Sequence, residues 1–166
     1  MRTTLLTVCL LLASFYSVEA QNKFGYIDSN ELLVLMPESQ SMQTELQNYA
    51  NGLESQLAAM QAEGEAKLTE FQQQEATMND LVKQDKVREL ESIQQRILEF
   101  QQNAQQALGN KEKELLTPII EKARKAIEDV AEEGKYTYIF DASMGSLLYA
   151  DESENILPLV KVKLGL

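Results

Sequence analysis

Carboxylates are the only reactive groups this chain carries in quantity. It has 26 Asp and Glu residues against 15 Lys and Arg in 166 positions, a formal net charge of -11. Paired carboxylates can serve as general acid and base, but Glu recurs on every helical face described below, and no pair stands out by its spacing. His is absent. That removes the commonest general base, the Ser-His-Asp and Cys-His nucleophile systems, and imidazole ligation of metals. A di-iron helical bundle cannot be written without its Glu-x-x-His pairs. Cys9 is the sole thiol. The negative charge opposes generic binding to nucleic acid or anionic lipid, which both select a cationic face. No catalytic, cofactor-binding or metal-ligating residue is expected, and the chain is not expected to be an enzyme. The chemistry left to it is recognition by apolar and aromatic side chains.

The elements that would present those side chains begin after a leader. Arg2 precedes an apolar run from Leu5 to Leu12, and Val18-Glu19-Ala20 places small residues before a cut after Ala20. This is the pattern of a secretory signal peptide over residues 1–20, too short to span a bilayer. Cys9 lies inside the apolar run, not at a lipoprotein cut, and would leave with the leader. The exported chain would then have no disulfide and would depend on packing or association for stability.

Phe24-Gly25-Tyr26-Ile27-Asp28 reads as a short strand, and Asp28 with Glu31 as a capping box for a buried helix over Ser29–Met36. Between Pro37 and Thr117 there is no proline, and Gln, Glu, Ala, Leu and Lys dominate. Leu46, Ala50, Leu53, Leu57 and Met60 form one heptad seam. Leu90, Ile93, Ile97, Phe100, Ala104 and Ala107 form a second. The seams lose phase between Val82 and Leu90, which places a turn near residues 83–87 at the polar Lys83-Gln84-Asp85-Lys86. Thr117-Pro118 reads as a cap and first residue that restarts or bends the helix, and Gly134 as its C′ glycine. Tyr136–Asp141 is a strand, Leu147–Ala150 a second, and Asn155–Leu164 a short helix.

Strands therefore lie at both ends of the chain. Pairing the first with the last two requires the helix between them to go out and return, in arms of about 40–45 residues or roughly 60–70 Å. The expected fold class is α+β: a small β-rich body formed by residues 24–37 and 118–166, and a long antiparallel helical hairpin over 38–117. A body of about 60 residues without disulfides is marginal alone. Its strands carry Phe24, Tyr26, Ile27, Tyr136, Tyr138, Ile139, Phe140, Leu147, Leu148 and Tyr149, more apolar surface than one short helix pair covers. These ten are the candidate oligomerisation residues.

The Gly-Tyr-Ile-Asp start, the Gln- and Glu-rich hairpin, the run Glu114-Leu115-Leu116-Thr117-Pro118-Ile119, Ala126-Ile127-Glu128-Asp129-Val130-Ala131 and Gly134-Lys135-Tyr136-Thr137-Tyr138-Ile139-Phe140-Asp141 together resemble the Skp/OmpH family of periplasmic chaperones. The resemblance covers essentially all of the chain after the leader. It implies a jellyfish-like homotrimer in the periplasm whose helical arms surround a cavity for unfolded outer-membrane β-barrel proteins. It also implies a holdase that works without ATP. The absence of a Gly-x-x-x-x-Gly-Lys-Ser/Thr element agrees with that.

One departure from the family is plain. Well-known members have basic arms, whereas residues 38–117 here hold seven cations against fourteen carboxylates, a net of -7. No lipid binding by the arms is expected. Client contact is expected instead from adaptable apolar residues along the arms: Met42, Met60, Phe71, Met78, Leu81, Val82 and Phe100. Gly64 is a candidate hinge, with close helix packing as the competing reason for a glycine there. A structural coiled-coil spacer or adaptor is the alternative function, set apart by whether the protein suppresses aggregation of an unfolded barrel protein.

Overall fold

The computed structural model describes residues 22–166; the signal peptide expected over residues 1–20 lies outside the described residues. Strand β1 (Phe24–Ile27) leads into helix α1 (Ser29–Leu35) and then into the long helix α2 (Pro37–Gln74). A single 3-10 turn (Glu75–Thr77) precedes helix α3 (Asp80–Gly134). Strand β2 (Tyr138–Asp141), a second 3-10 turn (Glu152–Glu154) and helix α4 (Leu157–Leu164) complete the described chain.

Asp28 starts α1 by accepting a hydrogen bond from the backbone of Glu31 at 3.0 Å. Of the apolar residues in and after this helix, Leu32 and Met36 are buried, Leu33 is partly buried, and Leu35 is exposed. Pro37 opens α2, where its missing N–H costs nothing. Helix α2 runs for 38 residues, about 57 Å, and α3 for 55, about 80 Å. Ion pairs between them join Glu38 to Lys122, Glu45 to Lys111 (2.8 Å), Glu63 to Arg96 (3.7 Å) and Lys67 to Glu89 (2.9 Å). Rising numbers on one helix meet falling numbers on the other, so the two lie antiparallel, side by side.

The reversal is not at residues 83–87. Asn79 caps α3, its Oδ1 accepting from Val82 N at 3.0 Å, and the chain turns at residues 75–79. Lys83-Gln84-Asp85-Lys86 forms the opening turns of α3, where Asp85 pairs with Arg88 (2.5 Å) and Lys86 with Glu89 (3.3 Å). The cap supplies an acceptor to an orphan N–H, which a run of polar residues cannot replace.

Helix α3 also passes through Thr117-Pro118 without restarting. Thr117 Oγ1 donates to the Lys113 carbonyl at 2.7 Å and does not cap. A mid-helix proline costs about 3 kcal/mol. Burial of Ile119, Ala123, Ala126 and Val130 on one side of α3 beyond it offsets that cost. Gly134 is the last helical residue; the left-handed position is taken by Lys135, φ 55°.

The sheet has two parallel strands among the described residues, with Phe24 opposite Tyr138 and Ile27 opposite Asp141. Leu147–Ala150 is irregular and does not form the expected third strand. Its place beside β1 is taken by Asn155, which bridges Tyr26, and by Ile156 N, which donates to the Tyr26 carbonyl at 2.9 Å. The core consists of Ile27, Leu32, Met36, Ile119, Ala123, Ala126, Val130, Ile156, Leu157 and Val160. It draws on both ends of the chain and on the root of α3.

Asp141 pins the two ends together. Its carboxylate accepts from Ser29 Oγ (2.6 Å), Ser29 N (3.3 Å) and Ser143 N (2.9 Å). Partial burial pushes this carboxyl up, but the hydrogen bonds from Ser29 and Ser143 together outweigh it and hold it below its ordinary value. A carboxyl lowered by folding stabilises the fold above its unfolded value of about 3.9 and loses that contribution as pH falls through its folded value. Asp141→Asn should therefore cost about 1–2 kcal/mol at pH 7. The difference from the parent should shrink as pH falls below the ordinary carboxylate range in urea titrations at fixed protein concentration. A pH-independent difference would show that the carboxylate's charge is not what matters.

Candidate functional site

Two surfaces carry recognition chemistry, one on the body and one along the helix pair. The body surface follows from strand alternation: successive side chains point to opposite sides of the sheet. Gly25, Ile27 and Ile139 face inward, toward the core. Phe24, Tyr138 and Phe140 face outward and lie against one another with ring centroids 6.0–6.4 Å apart, each about half exposed. Nearby in sequence, Met144, Leu148 and Tyr149 stand more than four-fifths exposed, at 87, 96 and 84%.

The ten oligomerisation candidates thus divide. Phe24, Tyr138 and Phe140 form the outward aromatic strip, and Leu148 and Tyr149 stand in solvent. Tyr26 and Leu147 are half-buried, the Tyr26 hydroxyl donating to Glu152 at 3.3 Å. Ile27 is a core residue, and Ile139 and Tyr136 pack on the core. Ile27 is internal to one chain, while Ile139 and Tyr136 are partly buried and keep some surface open. Tyr136 is held closely. A Cβ on Gly25 would lie 3.0 Å from its Cε1, and one on Gly134 would lie 2.7 Å from its Cδ2. The Lys23 ammonium sits 3.9 Å from the ring centroid and donates to the Gly134 carbonyl at 3.0 Å.

Along the helix pair, Met60, Phe71 and Phe100 are half-buried, and so is Met78 at the turn. Met42 packs against the body core. Leu81 and Val82, just past the Asn79 cap, are exposed. Of the seven client candidates, these two are the exposed ones, Leu81 the more so. Seam spacing passed over Tyr49, Val87 and Leu98, all exposed. Leu98 follows the seam residue Ile97 directly, so an apolar residue flanking a seam position was its available signal.

Glycine positions on the pair differ in kind. A Cβ on Gly64 would lie 3.1 Å from Cγ2 of Ile93, the one buried apolar side chain of residues 38–117, whereas Gly52 and Gly109 face open space. Gly64 therefore has a packing reason to be glycine. Gly52→Ala and Gly109→Ala should each stabilise by about 0.5–1 kcal/mol. Gly64→Leu should destabilise by about 1–3 kcal/mol through overpacking against Ile93. Thermal unfolding of the three variants checks this; a stabilising Gly64→Leu would contradict the packing role.

Charge along the pair is unevenly placed. The cross-helix pairs hold the Glu38 and Glu89 carboxyls below their ordinary values through hydrogen bonds from Lys122 and Lys67, and raise Lys67 and Lys111 through Glu89 and Glu45. Among the described residues, no group of three His, Cys, Asp or Glu could hold a metal ion. No helix among them is long and apolar enough to cross a membrane.

Comparison with known proteins places this architecture. The chain is 28% identical over 156 residues to the chaperone protein Skp of Yersinia enterocolitica, covering 89% of this chain and 88% of that one. Its fold matches the crystal structure of an OmpH-like protein from Caulobacter crescentus with a TM-score of 0.77 at 12% identity, over 87% of this chain and 85% of the other. The family described as outer membrane protein (OmpH-like) matches residues 23–164, essentially every described residue, and the chain belongs to that family.

Proposed function

We propose that this protein is a periplasmic holdase that binds unfolded outer-membrane β-barrel proteins and keeps them from aggregating, without ATP and as a homotrimer. Membership of the OmpH-like chaperone family over residues 23–164 carries the reading. The geometry supports it at both ends of the molecule. On the body, Phe24, Tyr138, Phe140, Leu148 and Tyr149 leave an aromatic and aliphatic surface uncovered in one chain. Association of bodies would bury it, as a small core without disulfides requires. On the arms, the antiparallel α2–α3 pair projects well beyond the body and carries scattered exposed apolar residues, Leu68, Leu81, Val82, Val87 and Leu98.

Mechanistically, a client is retained by many weak apolar contacts within one enclosure, where effective concentration replaces a strong single site. Release needs no nucleotide, because each contact breaks on its own. The net -7 of the arms gives anionic lipid no cationic face to bind. The test is light scattering of a urea-unfolded β-barrel protein diluted into buffer without nucleotide, with and without the protein, together with mass determination in solution. Suppressed scattering at low micromolar trimer is expected. Unchanged scattering would favour the spacer reading, and a stable monomer would remove the enclosure.

A further inference from the structure

The α2–α3 pair has two unlike flanks. Besides a groove at the body end lined by Pro37, Met42, Leu115 and Ile119 with Glu38, Glu45 and Lys122, two grooves of about 330 and 350 Å³ open between the helices farther out. One is floored by Gly64, Leu68, Ile93 and Ile97, the other by Leu53, Leu57, Phe100 and Ala104. They share a flank: Glu54, Gln61 and Leu68 follow at steps of seven on α2, as do Gln94, Gln101 and Leu108 on α3. The interhelical ion pairs keep to the opposite flank. Glu63 stands nine residues from Glu54, and Arg96 nine from Gln105, about two and a half turns in each case.

The rims of these two grooves therefore hold Gln61, Gln94, Gln101 and Gln105 with the carboxylates of Glu54 and Glu65, and no Lys or Arg. Neither Glu54 nor Glu65 has an ion-pair partner among the described residues, while Lys67, Arg96 and Lys111 are engaged on the other flank. Apolar floors with anionic, cation-free rims are complementary to apolar side chains next to Lys or Arg. Glu54 and Glu65 are eleven residues apart on one helix, about 16 Å. An extended chain covers that distance in about five residues.

The geometry points to this flank as the capture surface for extended polypeptide segments that carry apolar anchors about five residues apart with Lys or Arg beside them. The inference rests on the holdase reading and deepens it: the acidic arm selects the cationic stretches of an unfolded chain. Ion pairing on the other flank holds the two helices in register.

The probes are two fluorescent peptides of equal length with the same two Leu-Phe anchors five residues apart, one carrying Arg beside each anchor and the other Asp. Anisotropy titration with the full protein should show the Arg peptide bound at least about tenfold more tightly, the preference fading in 0.5 M NaCl. The double variant Glu54→Gln, Glu65→Gln should weaken the Arg peptide about three- to tenfold. Glu70→Gln with Glu99→Gln, which removes the same charge outside both grooves, should leave it unchanged. Equal binding of the two peptides, or equal loss in both double variants, would overturn the inference while leaving the holdase reading standing. So would a change of assembly mass in the Glu54 and Glu65 variant without loss of peptide, since the flank would then be an arm-to-arm contact. Failure to bind either peptide together with failure to suppress barrel-protein aggregation would overturn both readings.

Discussion

Ile156→Ala should lower the unfolding free energy by about 2–5 kcal/mol, the range for removing a fully buried aliphatic side chain. Ile156 has no exposed surface and packs in the single core with Ile27, Leu32, Met36 and Val160. Its Cγ2 also fills the space that a side chain at Gly25 would need. Beyond volume, its backbone N–H is a tie between the C-terminal segment and β1. A cavity here loosens the docking of α4 as well as the core. A total stability of about 5–15 kcal/mol is typical, so this loss would be a large share of it. Urea unfolding at matched protein concentration measures it, because association adds to apparent stability. Val162→Ala, on the exposed side of α4, should change stability by less than about 0.5 kcal/mol. Equal effects at the two positions would mean that α4 is not docked through Ile156 and Val160.

Gly134→Ala should destabilise by about 1–3 kcal/mol although it improves helix propensity by up to about 1 kcal/mol. The new Cβ would lie 2.7 Å from Tyr136 Cδ2 and closer still to Cε2. The ring cannot swing aside cheaply, because Gly25 meets its other edge and Lys23 lies over its face. Tyr136→Ala alone should also destabilise, by lost burial. The double variant separates the two effects. With the ring gone, Gly134→Ala should become neutral or stabilising, giving a coupling of about 1–3 kcal/mol. Additive losses would show that the ring is not what excludes a side chain at 134.

Much of this was readable before any coordinates. The Asp28–Glu31 cap, the strands at both ends and the long helical stretch follow from local patterns whose physics is local: a side-chain acceptor three residues upstream, β-branched and aromatic runs, heptad spacing. At two places in the body tertiary burial decides between local options. Thr117-Pro118 looks like a helix start, yet the helix continues because Ile119 and Ala123 beyond it pack into the core. Leu147-Leu148-Tyr149-Ala150 has strand composition, yet Leu148 and Tyr149 are exposed and the place beside Tyr26 goes to Asn155 and Ile156. Loss of seam phase and the polar run at 83–86 point to a turn there, but the chain reverses before Asn79, whose side chain caps Val82 three positions on. On the candidate surfaces, strand composition marked Phe24, Tyr138 and Phe140 but could not separate them from Ile27, Tyr136 and Ile139. Pleat and register set Ile27 and Ile139 apart, whereas Tyr136, of the same parity as Tyr138, lies before β2 and packs on the core from there.

The parallel pairing of β1 with β2 has a kinetic consequence. Lys23 and Thr137 are hydrogen-bonded across 114 positions of sequence, so the body is built from contacts of very high sequence separation. Closing a loop of that length in one step would be slow, since its entropy cost precedes any reward from contacts. The antiparallel helices break the closure into short steps. Zipping is expected to begin at the Asn79-capped turn, where partners such as Lys67 and Glu89 are near in sequence. It then runs through Glu63–Arg96 and Glu45–Lys111 to Glu38–Lys122 at the body. The expected order of assembly is thus tip first and body last, and the body waits for residues 156–166, because Ile156, Leu157 and Val160 are part of its core. A substitution at Asn79 then registers mainly in the folding rate, and one at Ile156 mainly in the unfolding rate.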